Sequence, residues 1–265
     1  MTYGVTGKIL RVDLTHRTHR VEEPDEIFYR TYFGGSALAC HYLLKERGRI
    51  ENPLGPDNLL VFASSPLVGS GIPGANRYSV AAISPLTGVY GEGEAGGWWS
   101  PELKRAGFDA VLVEGRADRP VYLWIHDGEV EIREAVALWG KGTGETQKII
   151  EAQTGAPNVR VAAIGPAGEN QVRFACVVNA MKHTNGRGGM GAVMGSKNLK
   201  AVAVHGSRPA PFKDKPALKQ MIKWYADHFM DHPIERVLHD GGTIGWDVTE
   251  LDEAGNGLEL VQELV

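Results

Sequence analysis

Glycines, arginines and carboxylates gathered in two stretches carry the chemistry this sequence offers. In Asn185-Gly186-Arg187-Gly188-Gly189-Met190-Gly191 the glycines let the backbone approach a ligand and present N–H groups, and Arg187 adds a planar fork suited to phosphate oxygens. That combination holds an anion. A similar stretch, Gly91-Glu92-Gly93-Glu94-Ala95-Gly96-Gly97-Trp98-Trp99, comes earlier, and each leads through a short helical segment into an apolar strand. Two Gly-Gly turns at equivalent places suggest two walls of one site.

Other residues are placed to serve the same ligand. Arg77 stands where a Pro/Gly loop meets a strand, so its head reaches a ligand over the sheet; a surface salt bridge is the plain alternative. Glu94, between glycines, offers a carboxylate or a backbone carbonyl to a hard cation such as Mg2+, and taken alone reads as a solvated loop acid. Lys182, His183 and Thr184 precede the second turn and supply donors, with the basic segment 196–200 behind it. Trp98 and Trp99 open a helix, so one packs in the core and the other is free to flank a ligand. Nothing places His183 beside a base, nucleophile or metal partner, and no Ser/His/Asp arrangement stands out. The glycine turn fits neither the phosphate loop of nucleotide hydrolases nor the dinucleotide fingerprint. The residues argue for binding before catalysis.

The elements that must position these groups occur twice. Alternation predicts a hairpin over 8–14 and 18–23, then a helix over 36–47 with Ser36 as N-cap and Gly48 as its stop. Strands at 59–63 and 78–83, the first glycine turn, a helix at 100–106 and a strand at 110–115 follow. The order repeats as a hairpin around Asp127-Gly128, a helix at 144–153, strands at 159–164 and 172–179, the second turn, a helix at 191–198 and a strand at 200–206. This is the signature of an internal duplication. Strand pairs broken by single helices predict an α+β fold of two mixed sheets packed face to face. Residues 1–208 form the duplicated domain; 209–265 read as a proline-spaced linker, an amphipathic helix from Ala217 to Phe229 and the start of a second, truncated domain.

A formal net charge of −4 gives no reason to expect nucleic acid or an anionic membrane as partner. No apolar run approaches the roughly 18 residues of a membrane span, and residues 1–7 carry no signal-peptide pattern, so a cytoplasmic location is the default. The two cysteines, Cys40 and Cys176, lack metal-ligand spacing and read as small core residues.

In its motifs the chain resembles the N-terminal domain of the tungsten-containing aldehyde ferredoxin oxidoreductase family. The resemblance rests on Gly7-Lys8-Ile9-Leu10-Arg11-Val12-Asp13-Leu14, Ser84-Pro85-Leu86-Thr87-Gly88, the run 101–110, Ile164-Gly165-Pro166-Ala167-Gly168-Glu169-Asn170 and, most specific, residues 186–200. It implies a base for tungsten, or molybdenum, chelated by two pterins whose phosphates are bridged by Mg2+. Carried over by motif, the cofactor contacts are Arg77, Glu94, Ala95, Gly96, Gly97, His183, Thr184, Asn185, Gly186 and Arg187, with Glu94 and Thr184 turning backbone carbonyls to the magnesium. Glu94 stands where the best-known members carry Asn, and His183 where they carry Arg.

The resemblance implies oxidation of a small aldehyde to a carboxylic acid, with two electrons passing through a 4Fe-4S cluster to ferredoxin or an electron-transfer subunit. The cluster, held by a C-x-x-C-x-x-x-C run and a distant cysteine, belongs to a part beyond these residues, so this chain alone is expected to be inactive, and no catalytic acid or base is assigned. Two alternatives stay open: a non-catalytic cofactor module completed by another chain, and a family member acting on another substrate such as an aromatic acyl thioester. Homo-oligomerisation is left open.

Overall fold

Apolar alternation at the start of the chain folds as a hairpin, and its inner strand becomes a parallel partner of a strand a hundred residues later. The computed structural model describes residues 3–242. Ile9–Asp13 (β1) pairs antiparallel with Thr18–Glu22 (β2) and parallel with Ala110–Glu114 (β6). Between them come the helices Glu26–Tyr32 (α1) and Gly35–Glu46 (α2), then Leu60–Ser64 (β3), Tyr78–Ile83 (β4), Tyr90–Ala95 (β5) and the helix Trp99–Ala106 (α3). These six strands form one sheet in the order β2-β1-β6-β3-β4-β5.

The second half repeats that plan. Val121–His126 (β7), Glu129–Glu134 (β8), the helix Thr143–Thr154 (α4), Arg160–Ala163 (β9), the short helix Pro166–Glu169 (α5), Val177–Asn179 (β10), His183–Asn185 (β11), the helix Met190–Ser196 (α6) and Leu199–His205 (β12) follow in order. Their sheet runs β8-β7-β12-β9-β10-β11, strand for strand the order of the first, with β7 and β12 as its parallel pair. The expected duplication and the two mixed sheets are both present.

Burial explains the layering. Side chains on the inner faces of both sheets (Leu10, Phe62, Val80 and Val111 from one; Leu123, Ala162 and Val202 from the other) join Trp99, Leu103, Met190 and Val193 in one core, so α3 and α6 lie between the sheets. Trp99 ties the halves directly, donating its indole N–H to the carbonyl of Val202 at 2.8 Å. The outer face of the first sheet is covered by Tyr29, Leu38, Tyr42 and Leu43 of α1 and α2, and that of the second by Ile150 of α4. The chain divides between Lys213 and Asp214 into two compact units. In the second, Lys215–His228 (α7) is capped by the Asp214 carboxylate, which accepts from Ala217 N–H at 2.8 Å, and Pro216 sits in the first turn, where a missing N–H removes no helical bond. The acidic, glycine-rich stretch from 243 onward lies outside the described residues.

Several expectations need correction. Ser36 does not cap α2; the N-cap is Gly34, and the Ser36 hydroxyl donates to Glu92 at 2.5 Å. The first glycine-rich stretch is a strand as far as Ala95, with the turn confined to Gly96 and Gly97. Residues 172–176 form turns instead of the start of a strand. Both cysteines are half-buried instead of core residues. Lys197 and Lys200 are wholly buried and satisfied internally: Lys197 donates to the carbonyls of Pro56 and Gly115, Lys200 to the carbonyl of Lys141 and the carboxylate of Glu169. They are not available to an anion. No helix among the described residues is long and apolar enough to cross a membrane.

Candidate functional site: two edge strands at one seam

The edge strands β5 and β11 are each followed by a glycine turn, and the fold lays them side by side, with the end of β11 against the middle of β5 and the turn after β5 against the start of β11. A Cβ built on Gly93 would lie 2.7 Å from both the Asn185 carbonyl carbon and the Gly186 nitrogen, so only glycine permits this approach of the two backbones. At Gly97, where φ is +94°, an added Cβ would meet Asn179 Oδ1 at 2.7 Å and His183 Cδ2 at 2.8 Å. Polar groups fill the seam. The Asn185 amide donates to the carbonyls of Gly93 and Tyr78, and the Asn179 amide to the Tyr78 hydroxyl and the Gly96 carbonyl. Burial pushes the Tyr78 phenol well above its ordinary pKa, which keeps it neutral as that acceptor.

Above the seam opens a pocket of about 390 Å³ lined by Gly74, Asn76, Arg77, Gly96, Gly97, Trp98 and His183. Arg77, Gly96, Gly97 and His183 thus share one cleft, drawn from both halves. Trp99 takes the core and Trp98, 54 % exposed, takes the pocket wall. Glu94 stands beside them, its carboxylate 4.0 Å from the Arg77 guanidinium. Glu94 and Thr184 are topological equivalents: each pairs across to the neighbouring strand one residue before its own strand ends, Glu94 with Ser79 and Thr184 with Val178. Ala95 and Asn185 turn their side chains into the protein, leaving only backbone for a ligand. Arg187 is exposed on the second turn and does not line this pocket. Gly186 faces open space, with nothing within 4 Å of an added Cβ.

The arrangement suits a ligand with anionic ends. Two exposed guanidinium groups, a half-buried imidazole and the glycine turns supply donors, and Glu94 and Thr184 are exposed beside them. Among the described residues no group of three His, Cys, Asp or Glu converges, so a cation here would rely on backbone oxygens and on its ligand. The buried Asn179 Oδ1 lacks a hydrogen-bond partner and lies against Gly97, beside the pocket floor. Sequence reading missed Asn179, Asn76 and Gly74; Asn179, a polar residue ending the apolar run Val177-Val178, was the one available signal.

A family profile described as aldehyde ferredoxin oxidoreductase, N-terminal domain, matches residues 9–206. A tungsten-containing aldehyde ferredoxin oxidoreductase of Pyrococcus abyssi is 45 % identical over 232 residues, covering 88 % of this chain and 38 % of that protein. An aliphatic sulfonate oxidoreductase, WOR-like subunit, of Pyrococcus furiosus is 39 % identical over 240 residues, covering 83 % of this chain and 38 % of that one. Among solved structures, the active-site complex BamBC of benzoyl coenzyme A reductase with 1,5-dienoyl-CoA superposes with a TM-score of 0.83 at 38 % identity, covering 87 % of this chain and 35 % of that one. The chain therefore spans about 38 % of the length of these curated relatives.

Proposed function

The chain belongs to the aldehyde ferredoxin oxidoreductase family, and from that membership we propose that it is the tungsten bispterin-binding part of an aldehyde:ferredoxin oxidoreductase. The observation that carries the reading is the close approach of the topologically equivalent edge strands β5 and β11, one from each half, each followed by a glycine turn. A cofactor built from two pterins with a phosphate on each has the same approximate two-fold character as this scaffold. The residues fit it: Gly93 and Gly97 leave no room for side chains, Gly186 opens outward, and the Arg77 and Arg187 side chains are exposed, Arg77 with Glu94 beside it.

When bound, the tungsten centre supplies the two-electron oxidation of the aldehyde by water. The chain's own residues bind and orient. Arg77 and the N–H groups of Gly96 and Gly97 hold one phosphate; Gly186 and Arg187 hold the other, with His183 beside the seam. The backbone carbonyls of Glu94 and Thr184 would hold Mg2+. Protein outside these residues would hold a 4Fe-4S cluster, which would supply the electron path to ferredoxin or an electron-transfer subunit.

Tungsten and pterin content of the native protein carrying this chain tests the reading, with two pterins expected per tungsten. Folded native protein free of both overturns it. A second reading, reduction of an aromatic acyl thioester on the same cofactor, draws on the likeness to the benzoyl coenzyme A reductase complex. Assaying the tungsten-loaded protein with aldehydes and with benzoyl-CoA separates the two.

A further inference from the structure

Lys104, in the last turn of α3, is a buried cation with no part in holding a ligand. It is 2 % exposed, and its side-chain nitrogen donates to three carbonyls, those of Gly4 at 2.6 Å, Ser65 at 2.7 Å and Pro66 at 3.2 Å. Ser65 and Pro66 open the loop 65–77 that joins β3 to β4. A lysine is almost never buried this deeply unless its donors are satisfied, so these oxygens hold the side chain inside.

The pinned loop and the helix that pins it both supply walls of the pocket of about 390 Å³ at the seam. Gly74, Asn76 and Arg77 come from the loop; Gly96, Gly97 and Trp98 immediately precede α3, with Trp98 as its N-cap. Two bonds carry the pin along the loop. The Ser65 carbonyl that accepts from Lys104 also accepts from Val68 N–H at 3.1 Å, and the Asn76 side-chain oxygen accepts from Gly69 N–H at 3.0 Å. A short series of bonds therefore runs from Lys104 to Asn76, the neighbour of Arg77. Ser64 and Ser100 join the same two elements by a hydroxyl pair at 2.7 Å, a link that carries no charge.

Burial lowers the pKa of Lys104 from 10.5 to about 8, against the pull of the Asp109 carboxylate, which favours the ammonium. Of the other ionisable groups around it, Glu102 and Arg105 of α3 pair with each other, Lys8 pairs with Glu23, and Arg77 with Glu94. Tyr29 stays neutral beside Asp109, its phenol pushed up by burial and by that carboxylate. Lifting the loop takes away the Ser65 and Pro66 carbonyls and admits water to the ammonium, which returns its pKa toward 10.5. Above about pH 8 the open form then binds more protons than the closed one, so raising the pH favours closure.

We propose that Lys104 is a positioning residue for the cofactor pocket: it pins the β3–β4 loop to α3, sets Asn76 and Arg77 against the first glycine turn, and couples opening of that loop to uptake of a proton. What the pocket holds rests on the bispterin reading; the pin itself does not.

The test places a thiol in the loop as Ser70→Cys, at a position 7 % exposed, in the native protein carrying this chain and without added tungsten. Modification by methyl methanethiosulfonate is resolved from that of Cys40 and Cys176 by peptide mass spectrometry. Its rate, divided by that of an unfolded cysteine peptide at the same pH, reads the open fraction of the loop. That fraction should be level up to about pH 8 and then fall by up to about tenfold per pH unit. Lys104→Met, which has no proton to lose, and Lys104→Arg, which stays charged throughout, should show no fall, with the arginine variant recovering part of the closure lost in the methionine one. A purely structural lysine would loosen the loop on replacement without giving the parent a pH-dependent step. Should both variants misfold, Asp109→Asn should move the start of the fall to lower pH, because the carboxylate that favours the ammonium is gone. A level open fraction in the parent, the same fall in Lys104→Met, or an unmoved start in Asp109→Asn overturns the proposal. None of these results bears on the bispterin reading, which metal and pterin content decide.

Discussion

Asn185, wholly buried at the end of β11, donates its side-chain amide to the carbonyl oxygen of Gly93 at 2.9 Å, joining an edge strand of one sheet to an edge strand of the other. The same amide reaches the Tyr78 carbonyl at 3.4 Å. Asn179 does the parallel job one strand inward, on the Tyr78 hydroxyl at 3.1 Å and the Gly96 carbonyl at 3.3 Å. The spacing of the two glycine turns is thus set by two buried amides as well as by the apolar core between the sheets.

Removing one of these amides leaves buried carbonyls without a donor. Asn185→Ala is expected to lower stability by about 1–3 kcal/mol, the usual desolvation cost of such an orphaned group. Urea unfolding measures it. Because the core on either side is unchanged, the unfolding m-value should stay constant; a variant as stable as the parent would show that the seam is held by packing alone.

Glycine substitutions at the seam should divide sharply by position. Gly97→Ala adds a Cβ at 2.7 Å from Asn179 Oδ1 in a residue with φ of +94°, whereas Gly186→Ala adds one into open space at ordinary φ. The first should destabilise the chain by about 1–3 kcal/mol through strain and displacement of Asn179 and His183. The second should leave the thermal midpoint near the parent's while still crowding a ligand on the second turn. Equal thermal midpoints for the two variants would contradict the close approach described for Gly97.

Alternation and turn chemistry were enough to read the hairpins, the duplication and the two sheets, since each half is built from apolar strands bounded by glycine and proline. What escaped was polar or glycine-rich. β5 alternates Gly91-Glu92-Gly93-Glu94, a period-two pattern disguised by having no side chain at every second position. Those glycines exist because the other half, or the strand's own neighbours, comes too close: Gly93 meets Asn185 and Gly186, and Gly91 meets Ser84 and Met190. β11 is three polar residues, and α1, capped by Asp25, is seven residues of mixed character; both are too short for a periodic signal. Lys197 and Lys200 looked like part of an anion site because charge in sequence does not reveal that carbonyls wait for it inside. The repeat led to the expectation of two turns walling one site; what the structure shows is β5 beside β11, and the asparagines that lock that seam could be found only in space.

Exposed arginines at the site should matter for the cofactor and not for the fold. Arg77 has 63 % of its side chain exposed and its carboxylate partner 51 %, a pairing of the kind that contributes about 0–1 kcal/mol. Arg77→Ala and Arg187→Ala should therefore unfold at nearly the parent's urea midpoint. Both should retain less tungsten after dialysis, and Arg77→Lys should recover part of the loss, since lysine keeps the charge but not the two-pronged geometry. Unchanged tungsten retention in both alanine variants would remove these residues from the phosphate contacts.

The buried lysines predict an unusual rise of stability with pH. Burial lowers the pKa of Lys197 from 10.5 to about 7, with nearby Arg116 acting the same way, and that of Lys104 to about 8. At Lys104 the Asp109 carboxylate opposes burial, whereas at Lys197 Arg116 adds to it. Lys197 donates to two carbonyls, and Lys104 to three, those of Gly4, Ser65 and Pro66. A lysine whose folded pKa lies below its unfolded value binds fewer protons when folded, so folding is favoured progressively as pH climbs from the folded pKa to the unfolded one. For Lys197 that window runs from about pH 7 to 10.5, and Lys104 joins it from about pH 8. Lys197→Met deletes the first contribution. It also deletes the bonds to Pro56 and Gly115, which offsets the whole curve without tilting it as long as both forms of the lysine make those bonds. The difference between parent and variant stability, measured by urea unfolding at closely spaced pH values, should therefore grow in the parent's favour above about pH 7, with a slope of at most about 1.4 kcal/mol per pH unit. Parallel curves from pH 7 to 10 would mean that Lys197 stays charged inside the protein, held as an ammonium by Pro56 and Gly115 against the cost of burial.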